Sequence, residues 1–358
     1  MTTKNSHPVG WLIVFALTKC KYDSIILQTK VSRCNTKVAK GILYQKGSKQ
    51  MALDNVLQAM GNTPLIKLNK VVDSDSAQIL VKYEGLNVGG SIKTRTAFAM
   101  ILDAKERGLI DSNTTIVEAT SGNQGIGIAL VGAVLGNKVV VIMPDSVSQE
   151  RRKLVSLYGA ELVLVRDEGK VDECYQKCFD LAEQMGKKPG YFWLKQFENT
   201  ENCKAHYQQT AQEIINQANC TIDGFCAGIG TGGTLTGIGQ ALKQANENVV
   251  IWGIEPANAS PLTGGEIGSH VQMGIGDGMI PPILDRQIFD KIETVTDQEA
   301  IAMARDLGRL EGLACGITSG TNVVVAKRLA KLLGPGKTVV TILPDTAERY
   351  FSTPLFED

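Results

Sequence analysis

Residues 114–135, TTIVEATSGNQGIGIALVGAVL, decide the fold class of this 358-residue chain. They begin with a β-branched run, TTIVEA, pass through a glycine-rich loop, TSGNQG, and continue in an amphipathic stretch over residues 125–135. A second apolar run, KVVVIMP (residues 138–144), follows at once. Because nearly continuous apolar strands separated by helices are typical of parallel sheets buried on both faces, this stretch predicts a strand–loop–helix–strand unit.

The same alternation recurs along the chain from residue 51 onward. Further strand-like runs are QILVKYE (78–84), ELVLVR (161–166), GFCAGI (224–229), VVIWGIE (249–255) and TVVTILP (338–344). Helical patterns lie at residues 96–107, 149–158 and 300–311. The number of units predicts an α/β protein with two open twisted sheets, each flanked by helices.

The charge balance and the cysteine pattern exclude several classes of partner. The 37 basic and 37 acidic side chains cancel, so no overall field attracts nucleic acid or an anionic membrane. The eight cysteines form no C-x-x-C pair and only three histidines are present, so we expect no metal site. Cysteines without a disulfide pattern are typical of reduced thiols, which predicts a cytoplasmic protein.

The first fifty residues differ from the rest of the chain. They carry nine Lys and Arg residues against one acid, Asp23. Their apolar run at residues 9–17, VGWLIVFAL, is too short to span a bilayer. We interpret residues 1–50 as an N-terminal extension preceding the true start at Met51, and a targeting segment is the alternative.

Four polar, glycine-rich loops follow predicted strands or lie close to them. They are residues 87–93, 120–125 (TSGNQG), 228–234 (GIGTGGT) and 316–320 (GITSG). Ligands of open α/β sheets bind at the carboxyl ends of the strands, so these loops are the candidate site.

The loop GIGTGGT matches a dinucleotide fingerprint between a strand and a helix. Its G-x-G-x-x-G pattern is formed by Gly228, Gly230 and Gly233. Glu255 closes the next strand, so a nicotinamide dehydrogenase remains an alternative. However, free amides at a helix N-terminus bind any phosphate, and the hydroxyls of Thr231 and Thr234 suit a terminal phosphate monoester.

The loop TSGNQG is a second helix start, with donors from Thr120, Ser121 and Asn123. The same physics makes it a receptor for a carboxylate, and an ordinary helix cap is the simpler alternative. The loop GITSG adds the neutral hydroxyls of Thr318 and Ser319.

The stretch EGLNVGGSIKTRTAFAM (84–100) places Lys93 after a pair of glycines. Gly85 and Gly90 have the spacing of a phosphate-binding P-loop, but Lys93 comes two residues too late for one. A solvated lysine in the first helical turn is one reading. A lysine buried near a helix N-terminus is instead a Schiff-base amine, because its charged form is disfavoured. Together with the phosphate and carboxylate receptors, this lysine predicts a site for pyridoxal 5′-phosphate carrying an amino acid.

From Met51 onward the chain resembles the cysteine synthase (O-acetylserine sulfhydrylase) family, which belongs with cystathionine β-synthase to the fold-type II pyridoxal-phosphate enzymes of tryptophan synthase β-like architecture. The matching segments occur in family order and cover essentially everything after residue 50. They are GNTPLIKL (61–68), GGSIKTR (89–95), EATSGNQGIGIA (118–129), SQERRKLVSLYGAELVLV (148–165), QFEN (196–199), GIGTGGTLTG (228–237), GIGDGMIP (274–281) and LPDTAERYFSTPLF (343–356).

The resemblance implies both the activity and the architecture. The activity is replacement of the acetoxy group of O-acetyl-L-serine by sulfide, through an aminoacrylate intermediate, to give L-cysteine and acetate. The architecture is a large domain, residues 51–86 plus 200–358, and a small mobile domain, residues 87–199, in a homodimer. A serine acetyltransferase tail is an expected partner, and a regulatory protein that docks this tail is an alternative to an enzyme.

The resemblance also implies residue roles. Lys93 holds the cofactor covalently and moves the α-proton of the substrate. The implied cofactor contacts are Lys93, Asn123, Gly230, Thr231, Gly232, Gly233, Thr234 and Thr318. The implied contacts to the substrate carboxylate are Thr120, Ser121, Asn123, Gln124 and Gln196.

Four positions depart from the family pattern, namely Val88, Thr94, Gln124 and Asp277. Gln124 enlarges a residue beside the substrate. Asp277 stands where cysteine synthases have a small residue, and it is either an acid or base for a second substrate or a surface or hinge residue. These departures keep related reactions open: homocysteine as nucleophile would give cystathionine, ammonia would give 2,3-diaminopropionate, and water acting on cysteine would give serine and sulfide.

Overall fold

The computed structural model describes residues 52–168, 171–265 and 267–357. These residues form two β-sheets with flanking helices, which confirms the predicted α/β fold class. The predicted N-terminal extension, residues 1–50, lies outside the described residues. Among the residues described, none of the helices combines the length and the apolar character needed to cross a membrane.

The strands of the described residues are given in chain order. They are β1 (Leu65–Lys67), β2 (Gln78–Tyr83), β3 (Thr115–Ala119), β4 (Val139–Pro144), β5 (Glu161–Val165), β6 (Tyr191–Trp193), β7 (Gly224–Gly228), β8 (Val250–Pro256), β9 (Lys291–Val295) and β10 (Thr338–Leu343).

The α-helices follow the same order. They are α1 (Lys93–Glu106), α2 (Asn123–Leu135), α3 (Gln149–Leu157), α4 (Val171–Gly186), α5 (Glu201–Ala205), α6 (Ala211–Ala218), α7 (Gly233–Ala245), α8 (Asp297–Asp306) and α9 (Ile317–Leu333). The described part of the chain also has two π-helical turns, one at His206–Thr210 and one at Leu307–Glu311.

The strands form a larger and a smaller sheet. The described part of the larger sheet has six strands in the order β1-β2-β10-β7-β8-β9, and the smaller sheet has four in the order β5-β4-β3-β6. The smaller sheet is parallel throughout. The larger sheet departs from the expected parallel arrangement at one edge, because β1 pairs antiparallel with β2. The predicted division into large and small domains stays a prediction.

Burial explains why the central strands were visible in the sequence. Every residue of β3, β4 and β10 is buried. Because both faces of these strands are covered, their side chains form nearly continuous apolar runs in the sequence. Helix α2 differs from its prediction: residues 124–132 are all buried, so this helix is covered on nearly every side rather than amphipathic.

A buried ion cluster fixes the start of α1. The Arg95 guanidinium lies 2.8 Å from Glu84 Oε2 and 2.7 Å from Glu213 Oε1, and Lys82 Nζ lies 2.7 Å from the other oxygen of Glu213. Although burial opposes ionisation, Arg95 and Lys82 hold the pKa of Glu213 at about 2. Arg95 is two residues beyond Lys93, so this cluster ties the lysine to the larger sheet and to α6.

Candidate active site

Loops from both sheets enclose one cleft with about 800 Å³ of empty space, its open mouth included. The cleft brings together nearly the whole predicted set of site residues. Those lining it are Lys93, Thr120, Ser121, Asn123, Gln124, Gln196, Gly230, Thr231, Gly232, Thr234, Asp277 and Thr318. Gly233 is not among the lining residues but is the first residue of α7, directly behind the loop.

Lys93 is the first residue of α1, and its partly buried side chain lines the cleft. Burial lowers the pKa of the Lys93 ammonium, and the charge of Asp277 opposes this shift. The backbone before it is held to the C-terminal segment, because the amide of Ile92 donates to the Pro344 carbonyl at 2.9 Å. Lys93 is therefore not a solvated lysine on a helix surface.

The two glycines before Lys93 form a left-handed turn around Arg349. Gly89 and Gly90 have φ values of 75° and 68°, which residues with a Cβ rarely adopt. A Cβ on Gly90 would lie 2.7 Å from Arg349 Nη1, and Arg349 Nη2 donates to the Gly89 carbonyl. The sequence reading missed Arg349, although it lies within the family-like segment LPDTAERYFSTPLF.

In the TSGNQG loop, Gln124, which lines the cleft, carries a buried donor without a partner. Gln124 is 2% exposed; its Oε1 accepts the Thr96 hydroxyl at 2.6 Å, and its Nε2 has no partner. The simpler alternative, a helix cap by Thr120 or Ser121, is wrong, since the N-cap of α2 is Gly122 and no side chain caps it. The loop thus offers free amides and a buried side-chain donor to an anion.

Asn123 and Gln196 line the cleft but already have protein partners. Asn123 Nδ2 donates to Asp345 Oδ2 at 2.6 Å, and its Oδ1 accepts from Arg349 Nε at 3.0 Å. Gln196 Nε2 donates to the Ala119 carbonyl at 2.9 Å. Each amide group has one further hydrogen with which to bind a ligand.

The GIGTGGT loop has the shape of a phosphate receptor. A Cβ on Gly230 would overlap the Gly274 carbonyl, and Gly232 has a φ of 83°, so neither position accepts a side chain without a shift. The loop ends at the N-terminus of α7, where the first amides lack helical partners. Glu255 accepts from the amides of Leu262 and Thr263 at 2.9 and 3.2 Å and does not line the cleft, which argues against a dinucleotide ribose site.

Thr318 lies in the first turn of α9 and lines the cleft. Its hydroxyl donates to the Met273 carbonyl at 2.9 Å, so a bond from this hydroxyl to a ligand nitrogen requires the hydrogen to turn away from Met273.

Asp277 lies beside the lysine. Burial raises the pKa of the Asp277 carboxyl, while Lys93, His270 and the Tyr175 hydroxyl oppose the shift. Tyr175, on α4, interacts through its hydroxyl with both Asp277 and Ser121. The sequence reading missed Tyr175 because nothing in the helical pattern of α4 marks one polar tip as facing a ligand.

This chain resembles known proteins both in sequence and in structure. Residues 56–345 match the family model described as pyridoxal-phosphate dependent enzyme. A cysteine synthase from Staphylococcus aureus (strain N315) is 46% identical over 308 residues, which cover 86% of this chain and 98% of that protein.

Two solved structures are similar over most of their length. O-ureido-L-serine synthase aligns with a TM-score of 0.81 at 37% identity, over 86% of this chain and 96% of that one. A hydrogen sulfide-producing enzyme from Fusobacterium nucleatum aligns with a TM-score of 0.78 at 38% identity, over 84% of this chain and 100% of that one.

Proposed function

The chain belongs to the pyridoxal-phosphate dependent enzyme family, and on that premise we propose that it is a cysteine synthase, which replaces the acetoxy group of O-acetyl-L-serine by sulfide to give L-cysteine and acetate. The observation that carries the proposal is one cleft that joins a partly buried lysine to two anion receptors at helix N-termini. The resemblance read from the sequence is confirmed by the family match and by the 46% identity to a cysteine synthase.

The residues of the cleft fit the cofactor. The glycine loop has no room for a Cβ at Gly230, and the amides at the start of α7 are the kind of donors that bind a phosphate. The buried, unpaired Gln124 Nε2 is a donor that needs an acceptor, which a substrate carboxylate supplies. When bound, pyridoxal phosphate supplies the electron sink for loss of the β-substituent.

The chain's own residues hold the reactants and move the proton. Lys93 is the covalent anchor, and because its ammonium form is disfavoured by burial, its Nζ takes the α-proton of the substrate. The substrate carboxylate binds to the TSGNQG loop through Thr120, Ser121, Asn123 and Gln124, and Gln196 assists. The phosphate binds to residues 230–234, Asn123 bonds the ring hydroxyl, and Thr318 gives the ring nitrogen a neutral partner.

The proposal extends to the state of the protein in the cell. It is a cytoplasmic homodimer whose smaller sheet, with residues 87–199, closes over bound substrate and excludes water. Its ligands are O-acetylserine and sulfide, and a serine acetyltransferase tail is a further partner.

The test measures L-cysteine and acetate formed by the full chain with pyridoxal phosphate, O-acetylserine and sulfide. We expect equimolar products from the wild type and a loss of at least about 10²-fold in Lys93→Ala, because the proton acceptor is gone. Lys153→Ala, which alters an exposed lysine of α3, is the matched control and keeps full activity. No cysteine from the wild type, or an active Lys93→Ala variant, would refute the proposal.

A second candidate function is favoured by Asp277. A carboxylate beside Lys93 can accept a proton from a second substrate, and with water as that substrate L-cysteine would give L-serine and hydrogen sulfide. Homocysteine would give cystathionine and ammonia would give 2,3-diaminopropionate by the same exchange of nucleophile. Cleavage of L-cysteine faster than its synthesis, abolished in Asp277→Asn, would select this candidate; a wild type that releases no sulfide from cysteine would remove it.

A further inference from the structure

Two buried side chains that are not among the predicted site residues contact the GIGTGGT loop, residues 228–234. Asn202 of α5 donates from Nδ2 to Thr231 Oγ1 at 2.9 Å. His206, one turn further on, has its Nε2 at 3.3 Å from Thr234 Oγ1. Asn202 is 1% exposed and His206 is 0% exposed, so neither side chain contacts solvent to any useful extent. The two threonine oxygens of the loop are therefore each held by a different side chain of one segment.

Glycines in α7 make this contact possible. A Cβ on Gly233 would overlap Asn202 Oδ1 and lie 2.6 Å from its Cγ. A Cβ on Gly237 would overlap the Cys203 carbonyl and lie 2.9 Å from His206 Cβ. Side chains at either position would push α7 away from the segment that carries Asn202 and His206.

The backbone of that segment is also irregular at the point of contact. Residues His206–Thr210 form a π-helical turn, in which the hydrogen bonds span one residue more than in an α-helix. Such turns are rare and are found frequently at functional sites. Here the π-turn begins at His206, the residue that faces Thr234.

The ring of His206 lies between two threonine hydroxyls. Burial lowers the pKa of His206 well below its ordinary value, and the nearby charges of Lys93 and Arg95 act in the same direction, so the ring is neutral and carries one N–H. His206 Nδ1 lies 3.0 Å from the Thr210 hydroxyl, which has a hydrogen to donate. Because a hydroxyl can donate or accept, two tautomers satisfy the ring. In one, Nδ1 accepts from Thr210 and the N–H on Nε2 is donated to Thr234 Oγ1; in the other, both directions are reversed.

The consequence concerns the hydroxyl hydrogens of the loop. A threonine oxygen that accepts from a neighbour keeps its own hydrogen for another acceptor. Thr231 and Thr234 both line the cleft, which is where that acceptor binds. Asn202 can only donate through Nδ2, so Thr231 is in this state, and Thr234 shares it when the hydrogen of His206 is on Nε2.

We propose that Asn202 and His206 are positioning residues: by donating to the oxygens of Thr231 and Thr234 they turn both hydroxyl hydrogens toward the phosphate monoester of the bound cofactor. The proposal rests on the proposed function and assigns to residues outside the loop a part of the affinity for the phosphate group. These residues should therefore affect the affinity for ligands that carry the phosphate and leave the affinity for ligands without it unchanged.

The experiment compares the affinities of the full-length apoprotein for pyridoxal phosphate and for pyridoxal, measured by quenching of tryptophan fluorescence. We expect His206→Leu to weaken pyridoxal phosphate binding by about tenfold, the loss of one hydrogen bond to a charged group, and to leave pyridoxal unchanged. His206→Gln, whose amide can replace Nε2–H, restores most of the affinity. Gln209→Leu alters an exposed residue of the same π-turn and serves as the matched control.

A second variant keeps the proposal testable if His206→Leu does not fold. Thr234→Val removes the hydroxyl itself and gives the same loss, and the double variant with His206→Leu loses no more than either single variant. Additive losses, an unchanged affinity in His206→Leu, or an equal loss for both ligands would overturn the positioning role. A wild type that binds pyridoxal phosphate but makes no cysteine would count against the proposed function alone, whereas failure to bind pyridoxal phosphate would overturn both.

Discussion

Replacing Glu118 with glutamine will remove a pH dependence of stability that this carboxyl imposes. Glu118 lies in β3 with 0% exposure, two residues before Thr120 of the cleft. It accepts from Trp193 Nε1 at 3.1 Å and from the amides of Gln196 at 3.1 Å and Ala119 at 3.0 Å. Burial nevertheless raises the pKa of Glu118 to about 8, because the loss of hydration destabilises the carboxylate by more than the three donors stabilise it.

The sign and the size follow from the two pKa values. Below the ordinary pKa of 4.5 the folded and unfolded states both carry the proton. As the pH rises from there to about 8, the unfolded state loses its proton while the folded state keeps it, so stability falls. At about 1.36 kcal/mol per pKa unit, the loss approaches about 5 kcal/mol once the pH exceeds the folded pKa.

The assay is urea unfolding of the wild type and Glu118→Gln between about pH 5 and pH 8.5, with the difference in free energy of unfolding taken at each pH. The other carboxyls cancel in this difference. The glutamine amide will face the Gln196 N–H, which adds a constant penalty without changing the slope. Glu161→Gln, at an exposed position of β5, is the control and shows no such trend.

Two outcomes would refute the reasoning. A difference between wild type and Glu118→Gln that is independent of pH would mean that Glu118 ionises normally in the folded state. A wild-type advantage that grows with pH would mean that the three donors stabilise the carboxylate by more than burial destabilises it.

Two further predictions concern the elements behind the cleft. Gly233→Ala will destabilise the protein by about 1–3 kcal/mol and weaken pyridoxal phosphate binding, because the new Cβ collides with Asn202; Gly308→Ala, where no heavy atom lies within 4 Å, should change neither in urea unfolding and ligand titration. Arg95→Met will cost about 3–5 kcal/mol in the same unfolding assay, because it leaves two carboxylates without their shared partner, and an unchanged midpoint would contradict the role given to the ion cluster.

The sequence predicted the central strands, whose burial leaves a nearly continuous apolar run. It did not predict β1, β6 and β9, of which the first two have only three residues each. β9, with the sequence KIETV, alternates charged and apolar residues and has one fully buried position. β1, β6 and β9 are edge strands, which are covered on fewer sides than central strands, so burial does not impose a continuous apolar run on them. The edge strand β5 was predicted because its sequence is apolar after Glu161, although none of its residues is fully buried.

In the cleft, the sequence likewise predicted the features formed by neighbouring residues and missed those that depend on packing between distant elements. The loops were recognised because glycine and hydroxyl residues must lie next to one another in the chain to form an anion receptor at a helix start. Arg349, Tyr175, Asn202 and His206 reach the cleft or its loops from other elements, and their spacing in the sequence encodes only helices or turns. Their role depends on which element packs against which loop, and no local pattern specifies that packing.

The charges of Lys93 and Asp277 affect each other's pKa, and this interaction suggests a test of how the second substrate is chosen. Burial disfavours the charge on each group, while each charge favours the other, so the protonation of either group depends on the charge of its partner. In the proposed function Lys93 is the covalent anchor, and a neutral Lys93 in that state would no longer oppose the effect of burial on the pKa of Asp277, so the carboxyl would more readily keep a proton. A protonated Asp277 would be an acid lining the cleft, whereas an ionised one would repel an anionic nucleophile such as hydrosulfide. Measuring how the preference between sulfide and neutral nucleophiles changes with pH in the wild type, and whether that change vanishes in Asp277→Asn, tests whether the pair controls the choice.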